Sequence, residues 1–359
     1  MQIKTTVENL KNYQIYLLVL KAIEEFLDKK GYLKIELPVL SPSLIPESYL
    51  EIFETEFKYL DKKEKLYLTP SPELFLKRLL AYGVGDCYYL GKSFRNCEPN
   101  SSLHSPEFMM LEFYKTKANY MDVAEEVIEM LSFIAERCYS WLVSGSVVNF
   151  RKKFGITKKI LKQRKHDFSI IYKGKLISFK NWEKISVSEA FKKYAGISSK
   201  ELFDHQLFIK KAEKKGYQVK GFSYEDVWSQ IYSQEIEPWL GKNGYPTLIY
   251  DYPKEFAALA KLNPDKKTSQ RFEFYIEGIE LGDCYTELTD WKEQENRFGQ
   301  ELAKIKKQKK TIARVDKGFI EALKYGLNPC AGIAIGVDRL AMIFCDASSI
   351  DKLKLINIT

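Results

Sequence analysis

Small residues alternate with an arginine along a short segment of the sequence. The segment reads Gly91-Lys92-Ser93-Phe94-Arg95, and β-strand alternation places Gly91, Ser93 and Arg95 on one face. Small side chains leave room for a ligand, and a guanidinium binds phosphate oxygens in a bidentate manner. The pattern indicates a phosphate-binding strand, with an ordinary half-solvated hairpin as the alternative.

A second strand pattern, from Glu107 to Thr116, carries an acid and a phenol. Alternation puts Glu112 and Tyr114 on the same face as Phe108 and Met110. The oxygens of a carboxylate and a phenol accept hydrogen bonds from an ammonium group. We therefore interpret this face as a candidate amine-binding surface.

A third pattern lies near the end of the chain, from Ala331 to Arg339. Gly332, Ala334 and Gly336 share one strand face, and a planar base can lie flat only where side chains are missing. Arg339 follows in the first turn of a predicted helix, whose N-terminal amides favour anions. The alternative is tight packing of helix on strand with a surface arginine.

Two glutamates surround a predicted hairpin turn at Gly282-Asp283. With that turn, Glu280 lies opposite Tyr285, and Glu287 is a diagonal neighbour about 7–8 Å away. Carboxylates so placed repel one another unless a cation lies between them, and Mg²⁺ bound to ATP phosphates fits that role. A solvated hairpin face is the alternative.

Helix and strand patterns alternate around these residues. Apolar residues recur at helical spacing from Tyr13 to Lys30. Ser71, Pro72 and Glu73 are typical of a helix start, with Ser71 as the cap, although the helix dipole alone would favour Glu73 there. The other predicted elements are strands over Cys87 to Asn96, Glu107 to Thr116 and Thr247 to Tyr252, and helices over Tyr120 to Tyr139, Asp226 to Glu237, Trp291 to Lys307 and Lys317 to Tyr325.

Strands paired in hairpins and helices to one side predict an α+β fold, an antiparallel sheet flanked by helices. We expect residues 1–359 to form one catalytic domain, with an insertion at about 144–230. The net charge is +8, and the densest basic run is Lys304 to Lys310. We interpret that run as a solvated connecting loop, with an anionic partner as the alternative.

Composition excludes several classes of protein. The N-terminus lacks the apolar region of a signal peptide, and no apolar run approaches the roughly 20 residues that span a bilayer. The six cysteines show no paired spacing, and three scattered histidines are too few for a zinc site. We expect a cytoplasmic protein with reduced thiols and no membrane contact.

Taken together, these segments resemble the class II aminoacyl-tRNA synthetases. The helix with YLKIELPVL resembles motif 1, which forms the dimer; FRN with PEFMMLEFY resembles motif 2; and GIAIGVDRL resembles motif 3. SPELFLKRLL, HSPEFMMLEFY, GIELGDCYTELTD and FIEALKYGLNPCAGIAIGVDRL are close to lysyl-tRNA synthetase in wording. The resemblance covers most of the chain and is weak in the middle insertion.

The motif 1 helix begins near residue 12, so we expect no anticodon-binding domain of the kind that lysyl-tRNA synthetases carry before it. That architecture resembles the elongation factor P lysine ligase family, in which an alanine replaces a motif 3 glycine, as Ala334 does here. The resemblance implies a homodimer without stable tRNA binding. It also implies activation of lysine, preferably (R)-β-lysine, with ATP and Mg²⁺, and its transfer to a lysine side chain of elongation factor P.

The resemblance assigns roles residue by residue. Arg95 would hold the α-phosphate and Arg339 the γ-phosphate as the catalytic pair, and Glu280 and Glu287 would bind Mg²⁺. The implied lysine-binding residues are Ser71, Pro72, Glu73, Glu112, Tyr114, Glu287 and Ala334. The implied ATP-binding residues are Arg95, Asn96, Cys97, Ser105, Glu280, Leu281, Gly336 and Arg339.

The motif 2 loop departs from the family pattern. The usual Arg-x-Glu becomes Arg95-Asn96-Cys97, and the loop to His104 is one residue longer. Leu103 replaces the usual arginine, and Ser105 replaces an asparagine. These changes leave two alternatives open: a paralogue with another acceptor, and a synthetase-like module that binds or senses its ligand without catalysis.

Overall fold

The structure is a computed structural model that describes residues 2–96, 101–144 and 168–358. It contains two compact units, Met1–Ala118 with Glu287–Thr359, and Asn119–Thr286. The predicted ATP-binding residue Cys97 lies outside the described residues, as does the first part of the predicted insertion. The prediction of a single catalytic domain with an insertion stays a prediction.

The strands and helices of the described residues follow one another in this way. The strands are β1 (Ile3–Thr5), β2 (Leu33–Lys34), β3 (Leu40–Ser41), β4 (Glu54–Tyr59), β5 (Lys62–Leu68), β6 (Cys87–Phe94), β7 (Glu107–Thr116), β8 (Ser169–Tyr172), β9 (Lys175–Ser178), β10 (Glu183–Ser186), β11 (Thr247–Pro253), β12 (Thr268–Ile276), β13 (Ile279–Thr286), β14 (Cys330–Gly336) and β15 (Ile356–Ile358). The α-helices are α1 (Leu10–Lys29), α2 (Glu73–Ala81), α3 (Tyr120–Ser144), α4 (Val187–Ala190), α5 (Ser199–Leu202), α6 (His205–Lys214), α7 (Tyr224–Ile231), α8 (Trp291–Gln308), α9 (Lys317–Gly326) and α10 (Val337–Phe344).

In the first unit, β14, β7, β6 and β2 are hydrogen-bonded neighbours in that order. The β14–β7 and β7–β6 pairs are antiparallel, and β2 pairs with β6 in parallel. Leu111 and Phe113 of β7 and Ile335 of β14 are completely buried, whereas the small and polar residues occupy the alternate positions. The apolar residues therefore anchor the sheet to its core and leave the other face for a site.

Helix α2 begins one residue later than the Ser-Pro-Glu sequence predicts. Pro72 occupies the position before the helix and Glu73 is its first residue. The hydroxyl of Ser71 accepts a hydrogen bond from the Glu73 amide, at 3.1 Å, so it still satisfies a free donor at the helix start. This arrangement fixes Ser71 and Glu73 at one end of a helix whose Leu76 and Leu80 are buried.

In the second unit, β10, β11, β12 and β13 are neighbours in that order. The turn between β12 and β13 is formed by Glu277 and Gly278, both of positive φ (52° and 76°), as in a type I′ hairpin. The predicted turn at Gly282-Asp283 is therefore wrong. Both residues lie inside β13, where Asp283 pairs with Glu273.

The basic run is not a connecting loop. Lys304 to Gln308 form the last turns of α8, and Lys304 forms an ion pair with Glu301 at 3.0 Å. Lys310 donates a hydrogen bond to the Ser48 carbonyl at 2.6 Å. The prediction failed because lysines are good helix formers and continue an amphipathic helix as readily as they fill a loop.

Two further expectations concern thiols and membranes. The described cysteines, Cys87, Cys138, Cys284, Cys330 and Cys345, are free thiols. Over the described ranges we find no helix with the length and apolarity needed to cross a membrane.

Candidate active site

The register of three strands brings the predicted amine-binding residues together. Glu112 of β7 pairs with Tyr89 of β6 and with Ala334 of β14, while Tyr114 pairs with Gly332. The register puts Glu112 and Tyr114, predicted to share one face of their strand, beside the small residues that were predicted to share one face of β14. Ala334 is thus the cross-strand neighbour of the pocket acid.

Glu112 is buried and held by hydroxyl groups. Its Oε1 accepts a hydrogen bond from the Tyr114 hydroxyl at 2.7 Å, and its Oε2 accepts one from Ser71 at 2.8 Å. A Cβ at Gly332 would collide with the Tyr114 ring, so the glycine makes room for the phenol. The strand pair and the start of α2 therefore fix this carboxylate on both of its oxygens.

An ammonium group connects two of the other predicted carboxylates. Lys77, one helical turn after Glu73, has only 3% of its side chain exposed. Its Nζ lies 2.5 Å from Glu287 Oε2 and also contacts Glu73 Oε1. The Glu287 amide donates to the Cys330 carbonyl at 2.9 Å, which fixes Glu287 beside β14. Sequence reasoning missed Lys77, and its signal was a lysine among the leucines of α2.

Burial sets the charge state of this cluster. Burial and the neighbouring Glu73 charge raise the pKa of Glu112 to about 8, against hydrogen bonds from Tyr114 and Ser71 and the charge of Lys77. Burial also lowers the pKa of Lys77, but the carboxylates of Glu287 and Glu73 outweigh it and leave that pKa above its ordinary value. Lys77 is therefore charged, whereas Glu112 binds a proton at neutral pH.

Arg95 directly follows β6, which ends at Phe94, whereas the sequence predicts a strand that continues to Asn96. Its amide donates to the Pro106 carbonyl at 3.0 Å, and its guanidinium carbon lies 5.3 Å from the centre of the Phe108 ring. Its Nε is buried and has no hydrogen-bond partner among the described residues. A buried donor without an acceptor is costly, and a phosphate oxygen is the acceptor that a guanidinium fits best. This end of the site therefore fits an ATP phosphate.

A further acid near Arg95 was not predicted. Glu47 accepts a hydrogen bond from the Tyr49 hydroxyl at 2.5 Å. Burial and the charge of Glu73 raise the pKa of Glu47 to about 7, while Arg95 opposes the rise. Glu47 lines a cavity together with two predicted lysine-binding residues, Ser71 and Glu73. The other lining residues are Leu44, Ile45, Pro70 and Leu74.

Arg339 is bound to the altered motif 2 loop. Its Nε donates to the Leu103 carbonyl at 3.1 Å, and its Nη2 lies 2.9 Å from His104 Nε2. The other ring nitrogen of His104 lies 3.0 Å from the Ser101 hydroxyl. A guanidinium only donates, so His104 Nε2 is the acceptor and its Nδ1 carries the proton. The loop and the motif 3 helix are coupled through this histidine.

The remaining predicted ATP-binding residues are placed as follows. Asn96 is bound through its backbone to Glu51 (2.9 Å) and lies directly after Arg95. Gly336 pairs with Met110, which also pairs with Gly91, so glycines flank the methionine on both sides. Ser105 lies in the loop just before β7.

Glu280 and Leu281 belong to β13 of the second unit, where Glu280 pairs with Tyr275. The charge of Glu280 helps burial raise the pKa of Glu273 to about 7, against the opposing charge of Arg271. Arg271 in turn binds both oxygens of Asp283 at 2.9 Å. The predicted placement of Glu280 opposite Tyr285 is therefore wrong, because it depended on the wrong turn, and its role as a Mg²⁺ ligand stays a prediction. Glu273 is an acid that sequence reasoning missed.

Comparison with known proteins agrees with this architecture. The family model described as tRNA synthetases class II (D, K and N) matches residues 3–356. The chain therefore belongs to the class II tRNA synthetases, and the predicted α+β catalytic fold is confirmed.

Its relatives include two kinds of lysine-using ligase. It is 33% identical to the elongation factor P–(R)-β-lysine ligase of Buchnera aphidicola subsp. Schizaphis graminum, over 93% of this chain and 91% of that protein. It is 33% identical to the lysine–tRNA ligase of Carboxydothermus hydrogenoformans, over 92% of this chain. It is 32% identical to that of Chloroflexus aurantiacus, over 94% of this chain. The chain spans 62% of the length of each of these lysine–tRNA ligases.

Proposed function

We propose that this protein is an ATP-dependent ligase that activates lysine, or (R)-β-lysine, as an adenylate and transfers it to a lysine side chain of elongation factor P. The cluster of Glu73, Glu112 and Glu287 carries the proposal. Glu112 and Glu287 are buried, and a buried carboxylate needs a proton or a cation beside it, which an ammonium substrate supplies. The relative that is matched over 91% of its own length is an elongation factor P–(R)-β-lysine ligase.

In the first step the substrate carboxylate attacks the α-phosphorus of ATP and pyrophosphate leaves. Arg95 would meet the charge that develops on the α-phosphate, with its buried Nε as one donor. Glu112, Tyr114 and Ser71 would hold an ammonium group and so fix the position of the reacting carboxylate. Mg²⁺ would supply neutralisation of phosphate charge when it binds with ATP.

In the second step the acceptor amine attacks the carbonyl carbon of the adenylate. A carbon–nitrogen bond forms, the carbon–oxygen bond to phosphate breaks, and AMP leaves with that oxygen. The amine loses its proton as the amide forms. No covalent intermediate with the enzyme is needed, so the protein contributes positioning and electrostatic stabilisation.

Ala334 bears on the choice of lysine isomer. It is the direct neighbour of Glu112 across the β14–β7 pair, so its methyl group projects beside the amine-binding carboxylate. One methyl group in a pocket is worth about 1–3 kcal/mol of discrimination, or roughly 5- to 150-fold. We propose that Ala334 favours the isomer whose amino group is displaced from the α-carbon.

We also propose a homodimer through the motif 1 segment. Leu10 and Leu17 of α1 are 48% and 45% exposed, and Leu33 and Leu40 after it are 53% and 43% exposed. Apolar side chains in one segment are typical of a surface that another subunit covers. Sedimentation at micromolar concentration should give a dimer mass, and a monomer would contradict this assignment.

Pyrophosphate exchange with α-lysine, (R)-β-lysine and a panel of other amino acids tests the first step. Mass spectrometry of elongation factor P after incubation with enzyme, ATP and the active amino acid tests the second. We expect exchange with a lysine isomer and a mass increase of one aminoacyl group. No exchange with any amino acid would contradict the ligase activity. Exchange with transfer only to tRNA would retain the activity and replace the acceptor.

A further inference from the structure

Lys77 is the internal cation of the proposed lysine pocket. An ammonium group with 3% exposure costs far more to bury than an apolar side chain of the same length unless carboxylates pair with it. Lys77 forms ion pairs with Glu73, four residues earlier in the same helix, and with Glu287, which is 210 positions later in the chain. Because of the second contact, Lys77 differs from a lysine that only pairs with a neighbour on the surface of its own helix.

The carboxylates of this pocket differ in the groups that bind them. Glu73 and Glu287 share Lys77, whereas Glu112 is bound in the described residues by two neutral hydroxyls, those of Ser71 and Tyr114. Three carboxylates therefore meet one ammonium. With all of them ionised, two negative charges are left for a ligand to match.

We propose that Lys77 is a positioning and specificity-determining residue, a built-in ammonium that holds Glu73 and Glu287 and sets the pocket to accept amino acids with two ammonium groups. This inference rests on the proposed function. Lysine and β-lysine each carry two such groups, while amino acids with an uncharged side chain carry one. A substrate with a single ammonium leaves Glu112 protonated and forms one ion pair fewer, so it binds more weakly.

The competing explanation is that Lys77 only stabilises α2. If Lys77 is only structural, methionine, which has a similar length and no charge, can take its place with a change in melting temperature and little change in selectivity. If the Lys77 ammonium positions the carboxylates, methionine cannot take its place, because Glu73 and Glu287 would repel each other across the pocket.

The test uses full-length Lys77→Met, Lys77→Arg and Lys77→Ala in pyrophosphate exchange with the lysine isomer that the unmodified enzyme uses. For Lys77→Met we expect kcat/KM to fall by about 100-fold or more, because a buried carboxylate pair loses its cation. Lys77→Arg keeps the charge and should be the less damaged of the two. Lys77→Met within about threefold of the unmodified enzyme would overturn the inference.

Chemical rescue separates charge from packing. Lys77→Ala leaves a buried space, and propylammonium added at millimolar concentration should raise its exchange rate by at least about tenfold. The matched control is 1-propanol, which fills the same space without charge and should not raise the rate. Equal rescue by both compounds, or rescue by neither, would refute the role of the charge. Because each comparison is made within one variant, a loss of stability does not obscure it.

Selectivity supplies the remaining readout. The unmodified enzyme should prefer lysine to 2-aminohexanoic acid, which has the same carbon skeleton and one ammonium. Glu112→Gln removes the carboxylate without a cation, so the preference should fall by about 10-fold or more. An unchanged preference would overturn the charge count. If the unmodified enzyme shows no exchange with any amino acid, the proposed function fails instead.

Discussion

Lysine affinity should depend on pH through one carboxyl, that of Glu112. The groups that face it are Glu73, Lys77 and the Tyr114 and Ser71 hydroxyls, and burial raises its pKa to about 8. The free site therefore holds a proton on Glu112 at neutral pH. An arriving ammonium favours the carboxylate, so binding expels that proton.

The size of the effect follows from that pKa of about 8. At pH 7 about nine-tenths of the free sites carry the proton, so lysine binding should release about 0.9 protons. A raised pKa means that affinity increases with pH below 8 and levels off above it. Between pH 6 and pH 8 the dissociation constant should fall by about 50-fold if the bound carboxylate stays ionised.

Isothermal titration of lysine into the protein measures both quantities. Repeating the titration at pH 7 in two buffers of different ionisation enthalpy gives the number of protons released. The Glu112→Gln variant should release none from this position. Glu47→Gln is the matched control, because Glu47 also has a raised pKa, of about 7, but does not contact Glu112 in the described hydrogen bonds. A flat affinity from pH 6 to pH 8, or proton release that persists in Glu112→Gln, would refute the reasoning.

Three substitutions test other parts of the site. Arg95→Ala should abolish pyrophosphate exchange while sedimentation still shows the oligomer of the unmodified protein; near-normal exchange would contradict the phosphate assignment. Gly332→Ala places a methyl group against the Tyr114 ring and should lower the free energy of unfolding by about 1–3 kcal/mol and raise the KM for lysine, as thermal melts and exchange kinetics would show. His104→Ala removes the acceptor at 2.9 Å from Arg339 and should raise the KM for ATP but not for lysine; equal changes in both would assign His104 a general structural role.

Strand alternation was sufficient to predict which residues share a face within each strand of the site. A side-chain period of two groups Glu112 with Tyr114, and the pairing of β7 with β14, which the folded chain adds, brings Ala334 beside them. Apolar residues at the alternate positions, such as Phe113, left no other choice of face.

The acidic hairpin shows where local patterns fail. The dipeptides Glu277-Gly278 and Gly282-Asp283 are both turn signals, and nothing local separates them. Pairing between the strands distinguishes the two turn positions. With the turn at Glu277, Arg271 binds both oxygens of Asp283 at 2.9 Å. The sequence of a single strand does not show which residues of the neighbouring strand it contacts, so the local pattern predicted the wrong turn.

Lys77 was missed for a related reason. Glutamate and lysine four residues apart usually form an exposed pair on a helix, so the sequence SPELFLKRLL alone does not mark Lys77 as buried. Its burial depends on Glu287, which only the folded chain brings next to α2. The leucines on both sides were the local sign that this lysine faces inward.

The register of β7 determines at once which of its side chains face the pocket and which face the core. A one-residue slip of this strand would turn Glu112 and Tyr114 into the apolar interior and bring Leu111 and Phe113 into the pocket. An insertion or deletion within β7 would thus destroy folding and ligand recognition in the same event. Selection for a stable protein alone would therefore preserve the placement of Glu112 and Tyr114 on the pocket face of β7.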